Sequence, residues 1–221
     1  MIGNPVDYNK KYNNTSSIRG KAKLDISLKT YLKLLSGKNV LDLGIGEGQN
    51  SIPLSELGYH VTGVDYSTKA LDICRNNSSN IKLIHDDIRN FIIEKDKYDL
   101  ILSAGVLHFL HKDDVNHIIK EIKSNLKPNG LVYISVFSEK DPGLNKNDFD
   151  RLDHNIFHNR LENTYISYFS RNEILKQFSD FTTILVSDEY SLDFFHGNPH
   201  YHGIIKYIGK KEKIWIQKEL N

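Results

Sequence analysis

Three glycines at alternate positions in the segment Leu41-Asp-Leu-Gly-Ile-Gly-Glu-Gly48 form the part of the sequence best suited to holding a ligand. They follow an apolar run and precede a helical pattern, where glycine permits positive φ angles and lets a ligand approach the backbone. The N–H groups and the dipole at the start of the following helix would attract an anionic group such as a carboxylate. The spacing is G-x-G-x-G, which differs from the G-x-G-x-x-G of dinucleotide sites and therefore argues against a dehydrogenase.

Acidic and polar residues follow three further apolar runs. Asp65 ends the second run, about 20 residues after the glycines, where a carboxylate can accept both hydroxyls of a ribose. The segment His85-Asp-Asp-Ile88 ends the third run, and an acid there can accept an adenine amino proton while Ile88 lies against the ring. The fourth run ends in Ser103-Ala-Gly-Val-Leu-His108. Taken singly, Asp65 or Asp86 could be a helix N-cap; their joint order after strand ends favours a binding site.

The elements that must position these residues alternate between apolar runs and helical patterns, which predicts an α/β fold with a doubly wound, mostly parallel sheet. The last two of the seven predicted strands form a C-terminal antiparallel hairpin. The predicted strands are Asn39–Leu43, His60–Val64, Ile81–His85, Tyr98–Ser103, Leu131–Phe137, Phe181–Asp188 and His202–Ile208. The predicted helices are Ile26–Leu35, Gln49–Leu57, Ser67–Arg75, Asp113–Asn125 and Arg171–Phe178.

The length of 221 residues predicts a single domain over residues 1–221. Residues 138–169 are rich in aromatic, histidine and asparagine side chains and are long for a connection inside a compact domain. Such a segment is either a functional lid or disordered. We predict a lid insertion over residues 138–169.

The charge and cysteine content disfavour several classes of function. The formal net charge is +1, and a dedicated duplex or tRNA binder usually carries a basic excess, so a nucleic-acid partner is disfavoured. No apolar run reaches the length of a membrane span, and the N-terminus lacks the apolar core of a secretory signal. The single cysteine, Cys74, excludes an internal disulfide and fits a reducing compartment. We therefore expect a cytoplasmic protein without a membrane partner; the sequence does not indicate its oligomeric state.

Together these segments resemble the class I S-adenosylmethionine-dependent methyltransferases over roughly Asn39–Phe137. The glycine segment looks like the family's first motif, and Asp65 matches its ribose-binding acid. Asp87 and Ile88 match the adenine-pocket position, with Asp86 as an alternative register. Two further strings look like the fourth-strand motif and the turn before the fifth strand, namely Tyr98-Asp-Leu-Ile-Leu-Ser103 and Leu126-Lys-Pro-Asn-Gly-Leu131. The resemblance implies a Rossmann-like methyltransferase fold.

The resemblance also implies S-adenosylmethionine as the cofactor and assigns its contacts. The glycine turn would hold the methionine part, Asp42 its amino group, and the backbone of Ser103 and Ala104 the sulfonium side. Residues 1–36 fall where many members place a segment that covers the cofactor. The implied cofactor-binding set is Tyr12, Asp42, Gly44, Gly46, Asn50, Asp65, Tyr66, Asp87, Ile88, Ser103, Ala104 and His108.

The histidines are the candidates for removing a proton from the methyl acceptor. Histidine titrates near neutral pH, and a base is needed when the acceptor carries a proton. In a fold of this kind, the end of the fourth strand, the lid and the last turn meet above the cofactor's methyl group. The predicted catalytic set is His108, His154, His196, His200, His202 and Tyr12.

Alternatives remain open for each of these residues, and Tyr12 can equally be a residue of ordinary surface packing. His108 can be a base, a substrate contact or a residue that supports one. His154 and His158 could share a helix face or belong to a polar lid surface. The string His196-Gly-Asn-Pro-His-Tyr-His202 invites a metal site, but its spacing matches no standard zinc string and a hairpin turn explains it. We therefore predict no metal site.

The predicted function is methyl transfer to a small-molecule acceptor by in-line displacement. The segments around Gly48–Ser51 and Leu102–Leu110 look most like those of family members that methylate small molecules. Among these members, the tellurite-resistance-like subgroup is the nearest type. The chain lacks the Asn/Asp-Pro-Pro-aromatic string of enzymes that methylate base amines, and Cys74 lies in a predicted helix away from the site. The alternatives are an RNA-directed methyltransferase and a non-catalytic module that binds S-adenosylmethionine.

Overall fold

A seven-stranded sheet forms the centre of the computed structural model, which describes residues 21–144, 149–160, 164–193 and 199–212. Its strands are β1 (Asn39–Leu43), β2 (His60–Asp65), β3 (Lys82–His85), β4 (Leu100–Ala104), β5 (Leu131–Phe137), β9 (Phe181–Asp193) and β10 (His200–Lys211). The strand order is β3-β2-β1-β4-β5-β10-β9. The first five strands are parallel, and β10 pairs antiparallel with both β5 and β9.

In the described part of the chain, one helix precedes the first strand and four lie between strands, and together they cover both faces of the sheet. The helices are α1 (Ile26–Tyr31), α2 (Ser51–Glu56), α3 (Thr68–Asn77), α4 (Lys112–Asn125) and α5 (Arg171–Gln177). Helix α4 places four apolar residues on its buried face, as their 3–4 residue spacing requires. Helix α5 begins with a capping box, in which Ser170 and Glu173 satisfy each other's backbone N–H groups. Short 3-10 turns lie at Leu32–Leu34 and Leu107–Phe109.

The predicted fold class is confirmed, since the described sheet has seven strands with a C-terminal antiparallel hairpin. The hairpin is longer than predicted, because β9 extends to Asp193 and β10 begins at His200. The longest helix in the described part of the chain, α4, has 14 residues, and no described helix has the length and apolar character that crossing a bilayer requires.

Residues 138–169 contain a second sheet that the sequence analysis did not predict. Its three antiparallel strands are β6 (Phe149–Asp153), β7 (Ile156–Asn159) and β8 (Thr164–Ser167). The sheet buries Phe157, Ile166 and Tyr168 against Phe137 at the end of β5. The option of a shared helix face for His154 and His158 was wrong, because a tight turn at His154 joins β6 to β7.

The two faces of the central sheet bury separate apolar layers, because side chains alternate along each strand. On β1, Leu41 and Leu43 pack toward α4 and α5, whereas Val40 packs toward α1 and the residues around α2 and α3. The strands are therefore buried on both faces, as expected for a parallel sheet between helices.

The glycine turn after β1 is bonded to the neighbouring strand. The N–H groups of Gly44 and Ile45 both donate to the carbonyl of Val64, at 2.8 and 3.0 Å. Ile45 then packs over Gly63, where a Cβ would lie 2.2 Å from the Cδ1 atom of Ile45. The absence of a side chain at Gly63 thus allows the turn to lie flat against β2.

Replacing Gly63 with alanine should lower the free energy of unfolding by about 1–3 kcal/mol, because the new methyl group overpacks against Ile45. Urea denaturation measures the change. The double variant Gly63→Ala/Ile45→Val removes the clashing Cδ1 atom and should recover part of the loss. A double variant that is less stable than Gly63→Ala alone would show that this contact does not set the packing.

Candidate functional site

The residues predicted to bind a ligand lie at one edge of the sheet. The glycine turn, Asp65, Asp86 and Ser103 follow or end β1, β2, β3 and β4, which are parallel neighbours. Their carboxyl ends therefore meet at the same edge, where open α/β sheets bind ligands. The placement predicted for these segments is confirmed.

Only one of the three glycines in the turn faces open space. All three have positive φ angles, of 79° at Gly44, 54° at Gly46 and 86° at Gly48. A Cβ on Gly44 would lie 2.4 Å from Val106, and one on Gly48 would lie 2.8 Å from the sulfur of Cys74. A Cβ on Gly46 would meet no atom of the described chain within 4 Å. Gly46 is therefore the point where a ligand can approach the backbone.

Cys74 serves packing rather than chemistry. Its thiol is fully buried in α3 beneath Gly48, and burial raises its pKa to about 12, with the negative charge of Asp42 adding to the effect. A thiol with such a pKa is protonated at neutral pH and is a poor nucleophile.

The carboxylate of Asp65 holds the turn in place. Its Oδ2 atom accepts the N–H of Gly46 at 2.8 Å, and its Oδ1 atom accepts the N–H of Ser67 at 2.9 Å. Ser67, and not Asp65, is the N-cap of α3, since its Oγ accepts the N–H of Ala70. Burial raises the pKa of Asp65, and these backbone hydrogen bonds partly oppose that rise. Each carboxylate oxygen has a second lone pair, so Asp65 can accept further hydrogen bonds from a ligand's donor groups.

Asp42 is a buried acid with one unused oxygen. Its Oδ2 atom accepts a hydrogen bond of 2.7 Å from Ser51, a residue that the sequence analysis did not single out. Its Oδ1 atom is buried without a hydrogen-bond partner in the described part of the chain. Burial raises the pKa of Asp42 to about 7; the Ser51 hydrogen bond opposes this rise and the negative charge of Asp65 adds to it. A buried carboxyl of this kind is typical of a functional site.

The predicted adenine acceptor, Asp87, already has a strong partner. The Nε atom of Arg89 lies 3.0 Å from both of its carboxylate oxygens. Burial acts to raise the pKa of Asp87, but the hydrogen bonds and charge of Arg89 outweigh it and the pKa is lowered. Asp86 accepts the N–H of Asp87, and Ile88 is buried in the core. An adenine amine would therefore share Asp87 with Arg89 or bind at Asp86.

The end of β4 combines a buried hydroxyl with an aromatic contact. Ser103 is fully buried, and among the described residues its Oγ atom has no hydrogen-bond partner. Ala104 is partly exposed beside it. His108 is buried in the following turn, and its ring stacks on Phe137 with centroids 3.8 Å apart.

Phe137 connects the end of β4 with the C-terminal hairpin. His202 stacks on Phe137 at 4.7 Å, and Tyr168 lies parallel to the same ring at 5.9 Å. His202 also contacts His200, with the two Nε2 atoms 3.0 Å apart. Of the predicted catalytic residues, the structure thus brings together His108, His200 and His202.

The remaining predicted residues lie elsewhere. His154 is exposed in the turn between β6 and β7, and its backbone N–H donates to the side chain of Asp153. The side-chain oxygen of Asn50 accepts the N–H of Asp25 and so ties α1 to the glycine turn. The carbonyl of Tyr66 lies 2.9 Å from the Nε2 atom of His85. Tyr12, which was predicted for both roles, and His196 lie outside the described residues.

Residues 40–130 match the family described as "Methyltransferase domain". The chain is 35% identical over 128 residues to "Probable S-adenosyl-L-methionine-dependent methyltransferase TehB" from Haemophilus influenzae, which covers 56% of this chain and 42% of the relative. The crystal structure of TehB from the same organism superposes with a TM-score of 0.66 at 25% identity, over 94% of this chain and 67% of that one.

One further protein is similar to part of this chain in sequence, and another has a similar fold. The chain is 30% identical over 118 residues to "Ubiquinone biosynthesis O-methyltransferase" from Pelagibacter ubique, over 52% of this chain and 48% of the relative. The structure of 1,6-didemethyltoxoflavin-N1-methyltransferase from Burkholderia thailandensis, with bound 1,6-didemethyltoxoflavin and S-adenosylhomocysteine, superposes with a TM-score of 0.62 at 18% identity, over 94% of this chain and 83% of that one. The sequence matches span less than half the length of the Haemophilus influenzae and Pelagibacter ubique relatives.

The raised pKa of Asp42 predicts that its stability contribution depends on pH. The folded protein keeps a proton that the unfolded chain releases near pH 4, so this contribution is present at low pH and is lost as the pH rises from about 4 to about 7. Between about pH 5.5 and about pH 8, the wild type should lose about 2 kcal/mol of unfolding free energy relative to Asp42→Asn. Urea denaturation at both pH values gives the comparison.

The exposed acid Asp72 supplies the control for this measurement. The Asp72→Asn variant should follow the wild-type pH profile. Parallel profiles for the wild type and Asp42→Asn would contradict the assignment of the raised pKa to this carboxyl.

Proposed function

We propose that this chain, whose residues 40–130 form a class I S-adenosylmethionine-dependent methyltransferase domain, transfers the methyl group of S-adenosylmethionine to a small-molecule acceptor. The observation that carries the proposal is the arrangement at the sheet edge. An open backbone position at Gly46 lies beside the acids Asp42 and Asp65, at the ends of adjacent parallel strands.

The residues at this edge fit the cofactor. The open position at Gly46 leaves room for the methionine part, and the unused Oδ1 atom of Asp42 is an acceptor suited to an ammonium group. Asp65 would bind the ribose, and Asp86 or Asp87 the adenine amine. The backbone of Ser103 and Ala104 would face the sulfonium side. When bound, the cofactor supplies an electrophilic methyl group on a good leaving group.

The chain's own task is to bind and align the two reactants and to exclude water. The end of β5, the turn after β4 and the small sheet β6–β8 enclose the acceptor side. The Oγ atom of Ser167 donates to the carbonyl of Leu110 at 2.8 Å, which fixes β8 to that turn. We assign residues 138–169 the role of a lid that selects the acceptor. Residues 1–36, of which the structure describes 21–36, are proposed to cover the cofactor.

Two features favour a small-molecule acceptor. The acceptor side is aromatic, with Phe137 between the rings of His108 and His202, and such a surface suits a compact planar or apolar molecule. The net charge of +1 provides no general attraction for a phosphate backbone. The names of similar proteins point the same way, since two of them refer to ubiquinone biosynthesis and 1,6-didemethyltoxoflavin. A cytoplasmic location is part of the proposal.

The proposed cofactor site is tested by the variant Gly46→Ala, with an alanine substitution at a second glycine of similar backbone conformation as the control. The methyl group would meet no described atom of the protein, but it would occupy the space proposed for the methionine part. Affinity for S-adenosylhomocysteine, measured by calorimetry, should fall by about tenfold or more, which is at least 1.4 kcal/mol. Gly58→Ala is the control, because Gly58 also has a positive φ angle, of 81°, and ends α2 away from the site.

Both alanine variants should lose about 1–2 kcal/mol of stability from the left-handed backbone conformation. Only Gly46→Ala should also lose binding. Equal binding by the two variants, or no binding by the wild type, would overturn the proposed cofactor site.

The acceptor class is tested by measuring S-adenosylhomocysteine formation with a panel of thiols, phenols, amines and chalcogen oxyanions. Transfer to at least one of them supports the proposed function. Cofactor binding without transfer to any member would indicate a binding module instead. Transfer confined to an RNA substrate would replace the small-molecule assignment with an RNA-directed activity.

A further inference from the structure

Three potential metal ligands meet at the end of the C-terminal hairpin. His200 and His202 are two residues apart on β10, so their side chains project from the same face of the strand. Asp193, the last residue of β9, is the cross-strand partner of His200. The register of the hairpin therefore places one carboxylate beside two imidazoles.

The distances among these groups suit a single ion. The Nε2 atoms of His200 and His202 are 3.0 Å apart, and the Oδ2 atom of Asp193 lies 3.7 Å from the Nε2 atom of His202. One ligand atom from each of the three residues lies within 4.8 Å of the other two. Ligands at about 2.0–2.1 Å from a tetrahedral Zn²⁺ are about 3.3 Å apart, so small side-chain adjustments would complete the site.

A fourth residue, Asp141, orients His202 from the opposite side of its ring. The Oδ2 atom of Asp141 lies 2.8 Å from the Nδ1 atom of His202 and also accepts the N–H of Gly203 at 2.9 Å. The Oδ1 atom accepts the N–H of Gly143. Because backbone donors hold Asp141 as an acceptor, the Nδ1 atom of His202 carries a proton. The Nε2 atom, on the other side of the ring, faces the Nε2 atom of His200 and the carboxylate of Asp193.

Buried Asp141 thus stands in the relation to His202 that a carboxylate commonly has to a metal-bound histidine. The stacked ring of Phe137, at 4.7 Å, further restricts the orientation of His202. This support distinguishes the group from histidines that merely share a surface.

We propose that Asp193, His200 and His202 bind one divalent transition-metal ion, with Zn²⁺ as the representative ion. Two imidazoles and one carboxylate are donors that Zn²⁺ accepts, and three protein ligands leave a coordination position open. The sequence analysis predicted no metal site, because the histidine spacing alone matches no zinc string. The third ligand comes from the opposite strand, which a local string cannot show.

The open position gives the ion a role that rests on the proposed function. The N-terminal end of β10 lies at the ligand-binding edge, two strand spacings or about 10 Å from β4. The stack of His108, Phe137 and His202 connects the two places. An acceptor oxygen or sulfur bound to the ion would release its proton to solvent more readily. Its lone pair would then form the new bond to the methyl carbon as the carbon–sulfur bond of the sulfonium breaks and S-adenosylhomocysteine leaves.

Zn²⁺ binding to the full chain, freed of metal by a chelator, tests the site directly. Calorimetry should give one ion per chain with a Kd in the micromolar range or below. His200→Ala and His202→Ala should each weaken binding by about 100-fold or more. His60→Ala, which removes an exposed histidine at the start of β2, should bind as the wild type does. Circular dichroism should confirm that each variant is folded.

Asp141 is a positioning residue, and Asp141→Asn should weaken Zn²⁺ binding by about 10–100-fold. Because its carboxylate also accepts two backbone N–H groups, this variant can fail to fold. Asp193→Asn then serves as the second variant, since it removes a charged ligand with little change in shape; its affinity should also fall at least tenfold. In Co²⁺-loaded protein, the visible absorption bands of a low-symmetry site should change in both variants.

Absence of stoichiometric Zn²⁺ binding, or binding that His200→Ala and His202→Ala leave unchanged, would overturn the proposal. S-adenosylhomocysteine binding measured on the same preparations separates this result from the proposed function. Loss of metal binding with intact cofactor binding counts only against the metal site, and metal binding without cofactor binding counts only against the methyltransferase proposal.

Discussion

The hydrogen bonds from the glycine turn to the end of β2 are the interactions on which the candidate site depends. The N–H groups of Gly44 and Ile45 bond to the carbonyl of Val64, and the N–H of Gly46 bonds to the carboxylate of Asp65. The same carboxylate bonds to Ser67 at the start of α3. One acid therefore fixes both the shape of the turn and the entry of the next helix, and it leaves Gly46 as the open backbone position.

This arrangement places two acids in a low-dielectric environment. Asp42 and Asp65 lie near each other at adjacent strand ends, and burial raises the pKa of both. An uncompensated buried carboxylate is destabilising, and the structure offsets the cost with Ser51 for Asp42 and two backbone donors for Asp65. One oxygen of Asp42 remains without a partner among the described residues. A cationic or hydrogen-bond-donating ligand group would stabilise this oxygen, so the stability of the folded chain and ligand binding are physically linked.

The two halves of the proposed site are built in different ways. The cofactor half consists of turns that directly follow β1 to β4, so each of its residues lies in a local motif. The acceptor half joins segments that are far apart in sequence, since Phe137 contacts His108, Tyr168 and His202. A change in residues 138–169 or in the C-terminal hairpin can therefore alter the acceptor side while the cofactor half stays intact. This separation suits a fold in which function resides in the loops added to a common sheet.

The sequence by itself determined the seven strands, the order of the strand-end motifs and the glycine turn. These features depend on side-chain periodicity and on glycine's backbone freedom, both of which are local properties. Only the tertiary structure decided three side-chain contacts: the hydroxyl of Ser51 donates a hydrogen bond to Asp42, the guanidinium of Arg89 binds the carboxylate of Asp87, and Asp141 orients the ring of His202. It also revealed the sheet β6–β8, whose short strands lack a clear alternation, and placed His154 in the exposed turn between β6 and β7. These contacts follow from strand register and chain packing over long separations, and a one-residue shift in register would change which side chains meet.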